Sequence, residues 1–402
     1  MIKRDWLNKM ASLPCILVLT SLMISGSVLA AELSQYTATR VQKAHQLQQD
    51  EKLKQAIELL ADLKINRAYD IAYIDRMLGV FYWQGENTTA AIKHLQSAVK
   101  SGLLEDQQAW QTRRMLADVL LTEERFEQAL PHYYLLTESV PETQKAEELW
   151  LRIVQSHYQL EQWQSALKGI KQYEVYNVED TLTPLSLKLG AQLQLKQWQG
   201  ASVTVERLIV LQPDKVNWWR QLASLHLQLQ NSQAALDTLA LARLQGVQLS
   251  QQDLHLLSQL YGQLGIPERA ALVLSQLDLA NSDLDLLVEQ AINWQHAKEW
   301  SKAMQIWQLA AQQQPQYYWQ QAQLLVQEGH YEKALVTLDK VPEKHKQVEV
   351  SLAKVRSLYK LNEIESALIE AKNANSIKPS NEAKGWVEYL SQLRQMSDSQ
   401  AS

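Results

Sequence analysis

Apolar and small residues recur along the chain with the spacing of amphipathic helices, and one short phrase opens several of these stretches. In each phrase an aromatic residue precedes an alanine by three positions, which places both side chains on one helical face. The phrase appears as RFEQAL (125–130), QWQSAL (162–167), QWQGAS (197–202), EWSKAM (299–304) and HYEKAL (330–335). The pattern predicts that the phrase begins the second helix of a helix pair. It also predicts that its aromatic residues are core residues, namely Phe126, Trp163, Trp198, Trp300 and Tyr331.

The alanine of this phrase belongs to a longer repeat, because equivalent alanines recur ten times at intervals of 31 to 38 residues. They are Ala56, Ala91, Ala129, Ala166, Ala201, Ala235, Ala270, Ala303, Ala334 and Ala367. Twelve residues before each alanine the chain has alanine, glycine or serine in seven of the ten cases. Small side chains are needed where the axes of two closely packed helices cross. The repeat therefore predicts helix pairs that stack and share a continuous core.

One repeat carries the pattern most completely, in VNWWRQLASLHLQLQNSQAALDTLALARLQG (216–246). Trp219, Ala223 and Ala235 stand there where the tetratricopeptide repeat has its tryptophan and its small residues. The chain resembles this family over about residues 37–381, with the register open by a residue or two at 182–213. The resemblance implies an all-α fold, a right-handed superhelical solenoid of about ten helix pairs.

The domain organisation follows from this repeat and from the two ends of the chain. We expect a signal peptide at residues 1–30, the solenoid at 31–381, a capping helix at 382–396 and a disordered tail at 397–402. The capping helix is expected because residues 382–396 carry one apolar stripe and one polar face.

The first thirty residues have the features of a bacterial secretory signal. Lys3, Arg4 and Lys9 precede an apolar run at 13–24, and small residues lead to a cleavage site after Ala30. We therefore expect a periplasmic protein. The alternative is an uncleaved inner-membrane anchor, because residues 11–30 contain no charge, although the apolar run is shorter than the ~20 residues of a membrane span.

Composition and motifs argue against several classes of function. The net charge of −5 is unsuited to a nucleic-acid partner, which needs a basic surface. The sequence has no phosphate-binding loop, no nucleophile elbow and no zinc-binding HExxH motif, and its nine histidines lack the spacing of helical metal ligands. We expect a protein that is not an enzyme, has no cofactor and binds no metal.

The family resemblance implies that the first helix of each pair lines a concave groove that binds a protein partner. The residues expected in this groove are Tyr73, Arg76, Trp83, Arg114, Arg152, Tyr158, Asn217, Arg220, His255, Gln259 and Trp319. Arg76, Arg114 and Arg220 share one position of the repeat and form a candidate ladder for carboxylates or carbonyls of an extended peptide. The alternative is that they pair with carboxylates of the chain itself, such as Asp118, or are solvated.

A narrower resemblance concerns the N-terminal part of the solenoid. The stretches AELSQYTATRVQKAHQL and RAYDIAYIDRMLGVFYWQG are similar to periplasmic tetratricopeptide proteins of γ-proteobacteria that accompany TonB-type energy-transduction systems. This resemblance implies TonB, its ExbB/ExbD motor or an associated membrane component as a partner. The alternative function is a membrane-anchored assembly or regulatory factor of envelope, polysaccharide or pilus biogenesis, with the membrane contacted only through partners or through an uncleaved N-terminal segment.

Overall fold

A computed structural model of the chain describes residues 32–342 and 346–400. The expected signal peptide at 1–30 and the last two residues of the expected tail lie outside these described residues. Within them the structure is all-α, with a single 3-10 turn at Pro315–Tyr317 and no β-strand. None of the helices in this part of the chain has both the length and the apolar character required to cross a membrane.

The chain divides into two compact units, and the first ends at Glu161. Its helices are α1 (Gln35–Gln49), α2 (Leu53–Ala61), α3 (Ala68–Gln84), α4 (Thr88–Ser101), α5 (Asp106–Thr122), α6 (Phe126–Glu138) and α7 (Ala146–Gln159).

The second unit begins at Gln162. Its helices are α8 (Trp163–Glu174), α9 (Leu182–Gln194), α10 (Trp198–Leu211), α11 (Val216–Gln228), α12 (Ser232–Leu244), α13 (Gln251–Gln263), α14 (Pro267–Leu274), α15 (Leu284–His296), α16 (Trp300–Gln313), α17 (Tyr318–Gln327), α18 (Tyr331–Leu338), α19 (Gln347–Lys360), α20 (Ile364–Ile377) and α21 (Asn381–Gln400).

The repeat alanines lie in the second helices of these pairs and are all fully buried. Each of the ten, from Ala56 to Ala367, has 0% of its surface exposed. Within each unit, helices pack mainly on their neighbours in the chain, as expected of a stacked helical array. The predicted fold of repeated helix pairs is therefore confirmed.

Close approach of paired helices is clearest at Gly79, twelve residues before Ala91. A Cβ atom placed on Gly79 would lie 2.5 Å from Cγ and 2.6 Å from Cδ2 of Leu95 on α4. Leu95 is itself 0% exposed, so its side chain has no solvent to turn into. The small residue is therefore a requirement of the packing of α3 on α4.

The turn inside each pair has the same backbone conformation in every repeat. Two residues before each second helix the chain enters the left-handed region, with φ between 54° and 79°. The residues are Glu51, Glu86, Glu124, Glu161, Lys196, Gln230, Gly265, Lys298, Gly329 and Asn362. The next amide then donates to a carbonyl five residues back, as from Arg125 N to Leu120 O at 2.8 Å. This bond ends the first helix with a Schellman-type cap.

The aromatic residues of the repeated phrase begin the second helices as predicted, at Phe126, Trp163, Trp198, Trp300 and Tyr331. All five are half-buried, so they lie at the edge of the core, where Phe126, Trp198 and Trp300 pack against its buried clusters. Each stands at the first position of its helix. The buried core consists mainly of leucines and alanines of both helices, with aromatic residues such as Tyr133 and Trp294 among them.

A buried carboxylate fastens the first helix pair to the second. Asp70, in the first turn of α3, is 1% exposed and accepts hydrogen bonds from Ser34 and from Thr37 Oγ1, the latter at 2.8 Å. Burial alone would raise the pKa of Asp70, but the hydrogen bonds from Ser34 and Thr37 outweigh it and hold the pKa below its usual value.

At the other end, α21 covers the last pair. Leu390 is fully buried there, and Trp386 and Leu393 pack against the same cluster. The helix runs from Asn381 to Gln400, so it begins one residue earlier and ends four residues later than the predicted cap at 382–396. Residues 397–400, expected in the tail, continue this helix.

Candidate functional site

The candidate site is the first-helix surface, which we define as the side of the first helices that carries the expected groove residues; the two units are described separately. In unit 1, Tyr73, Arg76 and Trp83 follow one another at intervals of three and seven residues along α3, so they share a face. All three are half-buried. The Arg76 guanidinium lies 5.8 Å from the centroid of the Tyr73 ring, a cation–π distance. Its Nη2 also donates a long hydrogen bond of 3.5 Å to Gln111 Oε1 on α5.

Arg114 occupies the same repeat position on α5, but its charge is already balanced. Its Nε donates to Asp118 Oδ2 at 3.0 Å, and its Nη2 lies 3.6 Å from Glu148 Oε2 on α7. Asp118 also accepts a hydrogen bond of 2.6 Å from the Tyr133 hydroxyl. Burial, together with the Asp118 carboxylate, raises the pKa of Tyr133.

On α7, Arg152 faces a buried amide. Its Nη1 donates to Gln155 Oε1 at 3.3 Å. Gln155 is 4% exposed, and its Nε2 has no hydrogen-bond acceptor within the described residues. Tyr158 follows on the same helix and is half-buried, and this burial raises the pKa of its hydroxyl.

In unit 2 the arginine of the candidate ladder is again paired. Arg220 on α11 forms a fork with Asp253 on α13, with Nε 2.8 Å from both carboxylate oxygens and Nη2 2.7 Å from Oδ2. Asp253 also closes the capping box of α13 with Ser250. Burial would raise the pKa of Asp253, but the hydrogen bonds from Arg220 and Ser250 lower it. Asn217, one turn before Arg220, is exposed.

The next first helices of unit 2 are joined through a histidine. His255 Nε2 on α13 lies 2.8 Å from Glu289 Oε2 on α15 and 3.5 Å from the Gln259 amide nitrogen. Trp319 departs from the expectation, because it is only 7% exposed and packs in the core of its pair. The Lys346 ammonium lies 5.6 Å from its ring centroid. Trp319 is therefore a core residue that a cation covers.

These contacts show whether Arg76, Arg114 and Arg220 pair with carboxylates of the chain. The bonds join first helices of successive pairs, at separations of 35 residues for Arg76–Gln111, 33 for Arg220–Asp253 and 34 for His255–Glu289. Arg114 and Arg220 pair with carboxylates of the chain, which is the second of the two sequence alternatives. Arg76 has an amide and an aromatic ring instead, and the described residues place no carboxylate within 4.0 Å of it.

Sequence reasoning missed the partners in these contacts. Gln111, Glu148 and Glu289 were not expected at the surface, although each lies 34 or 35 residues after its partner, which is one repeat. That interval was the available signal. Among the described residues, no group of three or more histidine, cysteine, aspartate or glutamate side chains is arranged to hold a metal ion.

Comparisons with known proteins give no family assignment. No protein-family model matches the chain, and no curated protein matches it. Among solved structures it is similar to a chain of the APC/C hetero-tetramer Cut9–Hcn1, at 13% identity over 88% of this chain and 83% of that chain, with a TM-score of 0.27. It is also similar to the TPR domain of P58(IPK), at 11% identity, 90% and 99% coverage and a TM-score of 0.25. A third is the MamA protein, at 12% identity, 42% and 92% coverage and a TM-score of 0.31. The helix pairs of the chain itself establish its fold.

Proposed function

We propose that the chain is a non-enzymatic scaffold that binds a protein partner through its first-helix surface, with Tyr73, Arg76 and Trp83 of unit 1 as the main contacts. The observation that carries the proposal is that Arg76 lacks a carboxylate partner among the described residues. Arg114 and Arg220 already form ion pairs with Asp118 and Asp253, whereas no carboxylate of the described residues pairs with Arg76. A partially buried guanidinium in this state is suited to a carboxylate or carbonyl oxygen of another chain.

The neighbours of Arg76 support a protein ligand. Tyrosine, tryptophan and arginine are the residue types that contribute most to protein–protein interfaces, because they offer large contact areas with a polar end. All three types share one face of α3 here. The ligand in this proposal is an extended segment with one acidic side chain or terminal carboxylate.

The test is affinity purification from cells that produce the full chain, comparing Arg76→Glu with wild type. Lys93→Glu is the matched control, because Lys93 is exposed on the second helix α4 and undergoes the same change of charge. We expect Arg76→Glu to lose a discrete partner that Lys93→Glu retains. Equal recovery with both variants would refute the proposed site.

The proposal places this scaffold in the periplasm, with residues 1–30 as its signal and a TonB-type energy-transduction component as its partner. The signal-like N-terminus and the resemblance of the first two helix pairs support this part of the proposal. N-terminal sequencing of the protein from cells should find a chain that begins at Ala31. A retained N-terminus would favour the anchored assembly factor instead.

The identity of the partner is tested separately by co-purification with TonB, ExbB and ExbD after chemical crosslinking. Recovery of one of these proteins that depends on Arg76 would support the energy-transduction role. Recovery of only other proteins by the wild type, lost in Arg76→Glu, would keep the scaffold and reject the TonB link.

A further inference from the structure

A second surface of unit 2 has the features of a binding groove, and it lies along second helices. The groove has a volume of about 610 Å³ and runs between α16 and α18, with α17 as its floor. Its α16 wall extends from Ser301 to Gln312, which is roughly 16 Å at 1.5 Å per helical residue. An extended peptide of about five residues spans this length.

The wall formed by α16 and the floor are rich in uncharged amides. Residues 303–327 contain ten glutamines and no charged residue, in a chain in which 21% of residues are charged. Four of these glutamines, Gln305, Gln308, Gln312 and Gln321, line the groove. Within the described part of the chain no hydrogen bond involves their side chains, so their amides are open to a ligand. An amide both donates and accepts, which is what a peptide main chain requires.

The opposite wall supplies positive charge that no carboxylate of residues 32–342 or 346–400 neutralises. Lys333 and Lys340 on this side of the groove are exposed. Neither lies within 4.0 Å of a carboxylate of the described residues, and Asp339 pairs with Lys354 instead. Lys340 rests over the Tyr318 ring at 5.6 Å from its centroid. Glu332 is the acidic residue at this groove, so the cations outnumber it.

The groove between α8 and α10 differs because its cations are paired with carboxylates. It is also lined by two cations, Lys188 and Arg207, but Lys188 Nζ lies 2.8 Å from Glu174 Oε1 and Arg207 binds both Glu174 and Asp180. The two carboxylates satisfy both cations there. Those charges hold the local structure together, whereas Lys333 and Lys340 remain available.

The centre of the groove is apolar. Met304 and Leu325 line it, and Val336 projects into solvent with 59% of its surface exposed. Aliphatic side chains of a ligand would remove this surface from water.

We propose that this groove binds an extended acidic segment of a protein partner, in which aliphatic residues alternate with aspartate or glutamate. The glutamines bind its main chain, Lys333 and Lys340 bind its carboxylates, and Val336 contacts its aliphatic side chains. The site is separate from the first-helix surface of unit 1 and does not depend on the function proposed for that surface.

The experiment pans a random dodecamer phage library on the full chain, with counter-selection on a Lys333→Glu/Lys340→Glu variant. Counter-selection removes peptides that bind elsewhere, including the first-helix surface. The best peptide is then measured by fluorescence anisotropy against wild type, Val336→Asp and a Lys360→Glu/Lys372→Glu control. Lys360 and Lys372 are exposed, lie in the same unit and do not line the groove.

We expect enriched peptides with net negative charge and alternating aliphatic residues. Their affinity should fall at least tenfold in Lys333→Glu/Lys340→Glu and in Val336→Asp, and should be unchanged in the control and in Arg76→Glu. No enrichment over the variant, enrichment of neutral or basic peptides, or equal loss in the lysine control would each overturn the proposal. So would tight binding of polygalacturonate that displaces the peptide, which would indicate an anionic polysaccharide site.

Discussion

Replacement of Gly79 by alanine tests the physical basis of the repeat, which is close approach of paired helices at small residues. The added Cβ atom would lie 2.5 Å from Leu95 Cγ and 3.3 Å from the Leu95 backbone nitrogen. Leu95 is 0% exposed, so relief of the clash requires a shift of α4 itself. Overpacking of this kind costs about 1–3 kcal/mol. The cost for Gly79→Ala lies at the upper end of this range because the Leu95 backbone nitrogen is also crowded.

Helix propensity works in the opposite direction and must be subtracted. Alanine is favoured over glycine in a helix by about 1 kcal/mol. The expected net loss for Gly79→Ala is therefore about 2 kcal/mol. Gly385→Ala is the matched control, since Gly385 lies within α21 and a Cβ atom there meets nothing within 4 Å. The same substitution should stabilise α21 by about 1 kcal/mol.

The assay is amide hydrogen exchange of the full chain by mass spectrometry, because a long repeat array opens locally. A loss of about 2 kcal/mol should speed exchange in α3 and α4 roughly thirtyfold, with α11 to α14 unchanged. A double-mutant cycle with Leu95→Ala should show coupling of about 1–2 kcal/mol, because that change removes Leu95 Cγ and Cδ2, the two closest atoms, and leaves only the backbone nitrogen crowded. Slower exchange in Gly79→Ala, or zero coupling with Leu95→Ala, would refute the reasoning.

Three further predictions concern turns, charges and surface residues. Gly265→Ala should destabilise the α13–α14 pair by about 1 kcal/mol. The φ angle of Gly265 is 76° and no neighbouring atom would lie within 4 Å of the added Cβ, so the cost is backbone strain alone. Hydrogen exchange of α13 and α14 checks this, and a stabilised pair would contradict it. Asp70→Asn should cost about 2 kcal/mol at pH 7, measured by guanidinium denaturation, because charge-assisted hydrogen bonds from Ser34 and Thr37 are lost. The folded-state pKa of Asp70 is lowered, so the stability that its carboxylate contributes is present above the unfolded-state pKa of about 4 and is lost as the pH falls through the folded-state pKa. Wild type and Asp70→Asn should therefore converge in stability only in acid. A constant difference in stability down to that pH would contradict the assignment. Arg220→Ala should cost less than about 1 kcal/mol by the same denaturation, because the Arg220 side chain is 41% exposed, and a loss several times larger would mean that the Arg220–Asp253 pair fastens α11 to α13.

The repeat itself was readable from the sequence because its signal is a property of residue size. A fully buried crossing point tolerates only small side chains, so Ala91 and its nine equivalents show the phase of the array directly. The aromatic residue three positions earlier marks a helix start equally well, as Trp198 does for α10. Its burial could not be read from that pattern, because a residue at the first helical position has no preceding turn to cover it.

The turns carried little sequence signal. The left-handed residue is glycine only at Gly265 and Gly329, and elsewhere it is a residue such as Glu124 or Lys196. The Schellman-type bond and the packing of both helices impose the conformation there, so local propensity does not reveal it.

The positions of the candidate site residues could be predicted from the sequence, but the ion pairs that neutralise their charges could not. Periodicity placed Arg76, Arg114 and Arg220 on first helices, which the structure confirms. Whether each charge is neutralised depends on a residue about one repeat away, and the sequence alone left both alternatives open. Trp319 was misplaced for a related reason, because a tryptophan at a surface position of the pattern can turn into the core when a neighbour such as Lys346 covers it.

The most direct test of the central claim, that a protein partner binds the first-helix surface of unit 1, is site-specific photo-crosslinking in cells that produce the full chain. A photoreactive phenylalanine analogue replaces Tyr73 in one strain and Tyr36, which is 54% exposed on α1, in another. We predict a discrete crosslinked protein from position 73 that is absent from position 36 and is lost when Arg76 is changed to glutamate. No adduct from position 73, or the same adducts from both positions, would contradict the account.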